Sequence, residues 1–343
     1  MATHGQTRRA GRGGMSGYRV LVTTRSFGSG SIDVVELLAS TGVEVVRGSA
    51  VHDPVELISV LATADAWITG RAPITAELLD LAPRLRVITH FGVDTDALDV
   101  AAAVRRDIVV TNTPGADTDA VADHTLGLLL AALRGVVDGD RRVRSGRWTT
   151  TRGRELRAMT VGIVGFDRIG RAVAQRLIGF GAGVVVHESF ADPGGAATSG
   201  FAVRPHAEFV AESDAVTLHA AGGLRILDGD WLAECRPGQV VVNAGHYGLV
   251  DEEAVAVALR AGRLSAYAAD SLRPRDPALG PGPLLESDLI PSVIVTPYLG
   301  AETLEAIDRM GLSAANDVIA VLAGHAPQHQ IEPYDAPIGR FVR

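Results

Sequence analysis

Apolar and polar positions along this chain keep switching between two periods. From residue 18, short β-branched runs are followed by segments whose apolar residues recur every three or four positions. YRVLVTT, VEVVRG, AWITG, RVITHFG and DIVVTN read as strands, and SIDVVELLAS, DPVELISVLATA, ITAELLDLA and ALDVAAAVRR as the helices between them. Such alternation predicts βαβ units around a parallel sheet. This first block ends near Pro114-Gly115, a turn signal.

The next segment, DAVADHTLGLLLAALRGVV (119–137), reads as one long helix. Leucines at 126, 128, 129 and 130 make it too apolar for a solvated surface helix, so burial between domains or at a subunit interface is expected. GDRRVRSGRWTTTRGREL (139–156) is polar and reads as a loop. A second alternating block follows. Its strands are TVGIVGF, GVVVHE, AVTLHA, QVVVNAG, LSAYAAD and VIVTP, and its helices IGRAVAQRLIGFG, HAEFVAES, DGDWLAEC and EEAVAVALRAG. ETLEAIDRMGLSAANDVIAVLAG is a last long helix, and a Pro-rich tail from 327 is expected to lie extended. Residues 1–17 read as a disordered basic tail. The fold class is therefore α/β, with two Rossmann-like or flavodoxin-like doubly wound parallel-sheet domains and a cleft between them.

Composition narrows the chemistry. A length of 343 residues suggests roughly two domains. A net charge of −8 argues against nucleic acid as a partner. No apolar run reaches the ~18–20 residues of a membrane helix. The single cysteine, Cys235, permits no internal disulfide and fits a reducing, cytoplasmic setting. All 32 basic residues are arginine. The absence of lysine excludes a Schiff base, a P-loop lysine and a Tyr-x-x-x-Lys pair. The ten histidines are scattered, and although His325 and His329 stand four apart, Pro327 lies between them, so no metal site is expected.

TVGIVGFDRIGRAVAQRL is the most informative segment. A strand, a tight turn and a helix place Gly165 and Gly170 at the first and third positions of G-x-G-x-x-G, with Arg168 and Ile169 opening the helix. Glu188 ends the following strand, where an acid would bond the adenosine ribose hydroxyls; a solvated strand-end acid is the bland alternative. With no arginine directly after Glu188, NAD is favoured over NADP. The middle glycine is replaced by Asp167. Like charges ~4 Å apart repel by about 4 kcal/mol at an effective dielectric near 20, so a dinucleotide pyrophosphate would be disfavoured there. Asp167 either weakens or repositions NAD, prevents its binding, or turns away and is tolerated. His219 ends a strand and either faces the cofactor or serves the core.

Several stretches, in order and correctly spaced, carry a resemblance: THFGVDTDALD, VVTNTPGADTDAVADH, TVGIVGFDRIGR, SDAVTLHA, RPGQVVVNAGHYGLVDEEAV, AYAADSL and VIVTPYLGAET. Over residues 18–326 the chain resembles the D-2-hydroxyacid dehydrogenase family. The resemblance implies a discontinuous substrate-type domain (18–115 plus 299–326), a nucleotide-binding domain (116–298), an active site in the cleft and a homodimer. It also implies that the family's carboxylate-clamping arginine is His246 here, its glutamate Arg275, its proton-relaying histidine Tyr298, and a carboxylate-binding loop glycine Asp94. His124 occupies a position where the family also has histidine, and a structural role is expected for it. His90 and Phe91 precede the Asp94 loop and are candidates to line the cleft.

The ordinary reaction needs a bidentate arginine, a histidine paired with glutamate, and a nicotinamide. Tyrosine, with an ordinary pKa near 10, is a poor proton carrier unless a cation such as Arg275 lowers it. His246 is suited to act as a base or to hydrogen-bond a ligand. Asp94 favours an amine or hydroxyl over a carboxylate. Three readings follow: a small-molecule enzyme with rebuilt cleft chemistry, a catalytically silent sensor or scaffold, and a conventional NAD-dependent 2-hydroxyacid dehydrogenase.

Overall fold

A computed structural model describes residues 15–187, 189, 195–220, 222, 224–274 and 280–331. Glu188 and Arg275 lie outside them. The chain divides into two compact units, one from residues 15–116 with 307–331, the other from 117–306.

The first unit holds a five-stranded parallel sheet: β1 (Arg19–Val22), β2 (Glu44–Arg47), β3 (Ala66–Thr69), β4 (Val87–His90) and β5 (Val109–Thr111), in the order β2-β1-β3-β4-β5. Helices α1 (Val34–Ala39), α2 (Pro54–Leu61), α3 (Ala76–Asp80) and α4 (Val100–Val104) link them. Three of these helices start on an aspartate cap. Asp33, Asp53 and Asp99 accept the N–H groups of Glu36, Val55 and Ala102, satisfying donors that a helix start leaves open. Strands β3 and β4 are buried at every position, as befits a central parallel strand covered on both faces.

The second unit begins with α5 (Thr118–Arg134) and α6 (Val136–Arg144). Here the structure corrects two expectations. The predicted helix stops at Arg134 because Gly135 turns left-handed at φ +61°, and the chain bends by 61° into α6. The first third of the predicted polar loop, through Arg144, is helical because buried Asp138 pairs with Arg141 and Arg142, one turn on. The apolar content of α5 is also used within its own unit. Leu126, Leu128, Leu129 and Leu133 join the core formed by the sheet and α7 (Arg168–Gly179).

Seven parallel strands follow: β6 (Thr160–Val164), β7 (Gly183–His187), β8 (Ala202–Arg204), β9 (Ala215–Leu218), β10 (Gln239–Asn243), β11 (Leu264–Ala269) and β12 (Val293–Val295). Their order is β12-β11-β10-β9-β6-β7-β8. The connecting helices after α7 are α8 (Gly195–Thr198), α9 (His206–Glu212), α10 (Gly229–Glu234) and α11 (Glu252–Arg260). Strand β8 and helix α8 had no counterpart in the sequence reading. The order reverses between β6 and β9, and in open α/β sheets ligands bind outside the carboxyl ends of the strands at such a reversal.

Helix α12 (Leu304–Leu322) closes the chain, and from residue 307 it belongs to the first unit. Asp308 on it accepts the Ile32 N–H at 2.9 Å. A short strap then adds to the edge of β5, with Thr111 bridged to Gln330 and the Ile331 N–H donating to the Val110 carbonyl at 2.8 Å. Among the described residues no single helix is long and apolar enough to cross a membrane.

Candidate functional site

The β6–α7 turn sits at the strand-order reversal. Gly165 has φ +93°, and a Cβ there would lie 2.3 Å from the Ala220 amide nitrogen and 2.5 Å from the His219 carbonyl carbon. A Cβ on Gly170 would lie 2.1 Å from the Gly165 carbonyl oxygen. Both glycines are therefore dictated by the close approach of backbone on either side. Arg168 and Ile169 form the first turn of α7. Asp167 is its N-cap, and one carboxylate oxygen accepts the N–H groups of Ile169 and Gly170, each at 3.0 Å. An internal anion thus stands at the helix start, where a phosphate would otherwise find donors. The residue remains solvent-exposed, yet surrounding protein raises its pKa against the opposite pull of those N–H groups and Arg168.

His219, beside this turn, is buried, and neither ring nitrogen has a hydrogen-bond partner. Burial lowers its pKa to about 4, so the ring is neutral at ordinary pH. Thr217, two residues earlier on the same side of β9, also has an unpartnered hydroxyl.

His246 follows β10. Its Nδ1 accepts the Gly248 N–H at 3.0 Å, which leaves the neutral ring's proton on Nε2. Asn243 shapes the turn by donating to the His246 carbonyl at 3.2 Å and accepting from Gly245 N–H at 3.1 Å. The ring lies against Tyr247, centroids 4.1 Å apart, and the Arg273 guanidinium covers that tyrosine at 5.7 Å.

Tyr298 follows β12 with a left-handed backbone, φ +61°, uncommon for an aromatic residue. Asp270, at the end of β11, enforces it. The Asp270 carbonyl accepts the Tyr298 N–H at 2.8 Å. Its buried carboxylate accepts the Thr296 hydroxyl at 2.6 Å and the amides of Leu299 and Gly300 at 2.7 and 2.8 Å. His124 Nε2 lies 3.1 Å away and also contacts the Thr296 hydroxyl at 2.9 Å. Burial alone would raise the Asp270 pKa, but these hydrogen bonds outweigh it and hold the carboxyl below its ordinary value. The structural role expected for His124 is thus explicit: it helps fix the loop carrying Tyr298.

In the first unit, Asp94 is exposed after β4, with one oxygen accepting the Asp96 N–H at 2.9 Å. His90 is buried, bonded to the Gly70 backbone, and lowered by burial to a pKa of about 4. Phe91 packs edge-on against Phe27, centroids 6.0 Å apart. Both serve the packing of their unit.

These features match a known group of proteins. The sequence profile of the D-isomer specific 2-hydroxyacid dehydrogenase NAD-binding domain matches residues 126–300. The chain belongs to this family. It is 37% identical over 281 residues to D-3-phosphoglycerate dehydrogenase of Mycobacterium leprae, covering 79% of this chain and 52% of that protein. It is 33% identical over 287 residues to glyoxylate reductase of Pyrococcus furiosus, covering 79% and 83% respectively. The crystal structure of the TT0316 protein of Thermus thermophilus superposes with a TM-score of 0.81 at 33% identity, over 92% of this chain and all of that one. The chain spans about half the length of the curated phosphoglycerate dehydrogenases it matches.

As a family member the chain carries a nicotinamide-cofactor domain, and the turn residues agree with that. Gly165 and Gly170 let backbone pack closely at this turn, while the Asp167 carboxylate at the helix start opposes a diphosphate there. The structure brings Gly165, Asp167, Arg168, Ile169, Gly170 and His219 together at one strand-order reversal, whereas His246 and Tyr298 stand after β10 and β12. Asp270 is not among the candidates the sequence singles out. Its signal, an aspartate closing a strand of otherwise apolar and small residues, was visible, but its four partners were not.

Proposed function

We propose that this chain is an NAD(H)-dependent oxidoreductase for a small hydroxy- or oxo-compound, with His246, Arg275, Tyr298 and Asp94 replacing the family's usual set. The carrying observation is the left-handed Tyr298, locked by Asp270 and its partners. Such backbone strain costs on the order of 1–3 kcal/mol and persists only where the surroundings over-determine it, which argues for a positioned phenol rather than an idle one.

When bound, the nicotinamide supplies hydride exchange with the substrate carbon. Tyr298 would hold or release a proton at the substrate oxygen, helped by Arg275 where the family has an acid. His246, with its proton on Nε2, would give one hydrogen bond to a substrate oxygen in place of a bidentate clamp. Asp94 would favour a substrate hydroxyl or amine. Glu188 supports NAD over NADP, because a 2'-phosphate would meet its charge. Asp167 lowers dinucleotide affinity without removing the glycine turn. A homodimer fits the resemblance and is checked by light scattering.

The 37% identity to a phosphoglycerate dehydrogenase favours a second reading, the conventional family reaction on a 2-oxoacid. Titration with NADH, followed by nicotinamide fluorescence, and a panel of 2-oxoacids separate the readings. The proposal expects NADH binding with slow turnover of ordinary 2-oxoacids. Brisk reduction of any member would establish the conventional reading. Absence of binding at millimolar NADH would leave a silent sensor or scaffold.

A further inference from the structure

A single N–H grips a substrate oxygen only when it points along the right line, and His246 offers one, on Nε2. The torsion that turns an imidazole about its Cβ–Cγ bond is soft, so the rotamer alone does not fix that direction. Three neighbours supply the constraint.

The first is Gly248. Its N–H donates to His246 Nδ1 at 3.0 Å, which sets the tautomer and ties one edge of the ring. A Cβ at position 248 would lie 2.8 Å from that nitrogen and 3.1 Å from Cε1, so a larger residue would push the imidazole away. The second is Tyr247. Consecutive side chains point apart in an extended strand, but here the chain enters a short 3-10 turn, Tyr247–Leu249, that His246 caps. The two rings meet as a result, with centroids 4.1 Å apart and planes inclined by 36°. Leu249 and Val250 anchor this turn in the hydrophobic core, while Tyr247 stays half-buried at its margin.

The third is Arg273, from the segment after β11. Its guanidinium carbon lies 5.7 Å from the centroid of the Tyr247 ring, within the range of a cation–π contact. The backbone there is also tied down, because the Arg273 N–H donates to Glu252 Oε1, in the first turn of α11, at 2.7 Å. Arg273 and Tyr247 come together because β10 and β11 are paired neighbours in the sheet.

We infer that Tyr247 and Arg273 are positioning residues, which hold the His246 imidazole so that Nε2–H is presented to the substrate. The inference rests on the reading of His246 as a substrate-binding group. Without the stack the imidazole turns more freely, and its hydrogen bond bends and weakens. The loss falls on substrate binding rather than on the chemical step, because this bond is made in the ground state as well as the transition state.

The test uses the whole chain with NADH and with glyoxylate as the probe, reading the His246 ring protons by NMR alongside KM and kcat. In the free protein the Tyr247 ring current should displace the His246 ring protons. Tyr247→Leu should return them to ordinary positions, and Tyr247→Phe should keep them displaced. Tyr247→Leu should also raise KM about fivefold with kcat nearly unchanged, the loss expected for one ordinary hydrogen bond. Tyr247→Phe should restore KM, and Arg273→Gln should raise it about two- to fivefold, with Arg273→Lys close to the unaltered chain. Partial unfolding would lower kcat and leave KM alone. In a His246→Gln background, Tyr247→Leu should add nothing further. An equal rise in KM in that background overturns the positioning role, because Tyr247 would then act on its own account. His246 ring protons indifferent to Tyr247→Leu overturn it as well. Displaced ring protons in a chain that neither reduces glyoxylate nor responds to it refute the substrate reading of His246 and leave the stack standing.

Discussion

At the scale of single residues, Asp167 has opposed effects on stability and ligand affinity. As an N-cap its carboxylate satisfies two donors of α7, worth about 1 kcal/mol. As an anion it occupies the place that suits a diphosphate. Asp167→Asn should keep most of the cap while binding NADH more tightly, by tenfold or more. Asp167→Ala should also bind more tightly but lose about 1 kcal/mol; thermal unfolding and a fluorescence titration read the two effects separately. Weaker NADH binding in both variants would show that Asp167 helps the cofactor. Tyr298 is tested by two substitutions that act differently. Tyr298→Phe should cut any identified activity by at least a hundredfold, whereas Tyr298→Gly should relieve the left-handed backbone while abolishing that activity. Full activity in Tyr298→Phe would remove the phenol from the mechanism.

Among the elements, the loop after β12 depends most on one buried group. Asp270 collects a hydroxyl, two amides and a histidine, so Asp270→Ala should cost roughly 3 kcal/mol or more and release the Tyr298 loop. Hydrogen exchange at Leu299 and Gly300 would report it, and unchanged protection there would contradict the assignment. The helices show where periodicity suffices and where it fails. Helices α2, α7 and α11 follow their apolar spacing and begin on an aspartate cap, both readable in one dimension. The break between α5 and α6 was not readable in this way. Gly135 is compatible with a helix interior, and the sequence does not show that it turns left-handed. Helix α6 was hidden because its polar composition resembles a loop until Asp138 is buried against Arg141 and Arg142.

For the molecule as a whole, buried histidines set the response to acid. His90, His187 and His219 have pKa values near 4 in the fold against about 6.5 unfolded. Between those values the unfolded chain binds more protons, so stability is full above about pH 6.5 and falls as pH drops towards 4. For fully buried His219 the loss is roughly 3 kcal/mol, and His219→Phe should flatten the denaturation midpoint between pH 6.5 and 4.5. A slope as steep as that of the unaltered chain would mean that His219 is not buried in solution. The sequence by itself determined the α/β class, the two parallel sheets, the Gly165–Gly170 turn and the family. These depend on local period, on the few residues that tolerate particular backbone angles, and on spaced motifs, all of which survive in a linear string. Tertiary structure decided that Asp167 caps its helix, that His246 presents Nε2–H, and that Asp270 fixes Tyr298. Each of these depends on which groups come within about 3 Å after folding, and hydrogen-bond partners tens or hundreds of residues apart leave no periodic trace along the chain.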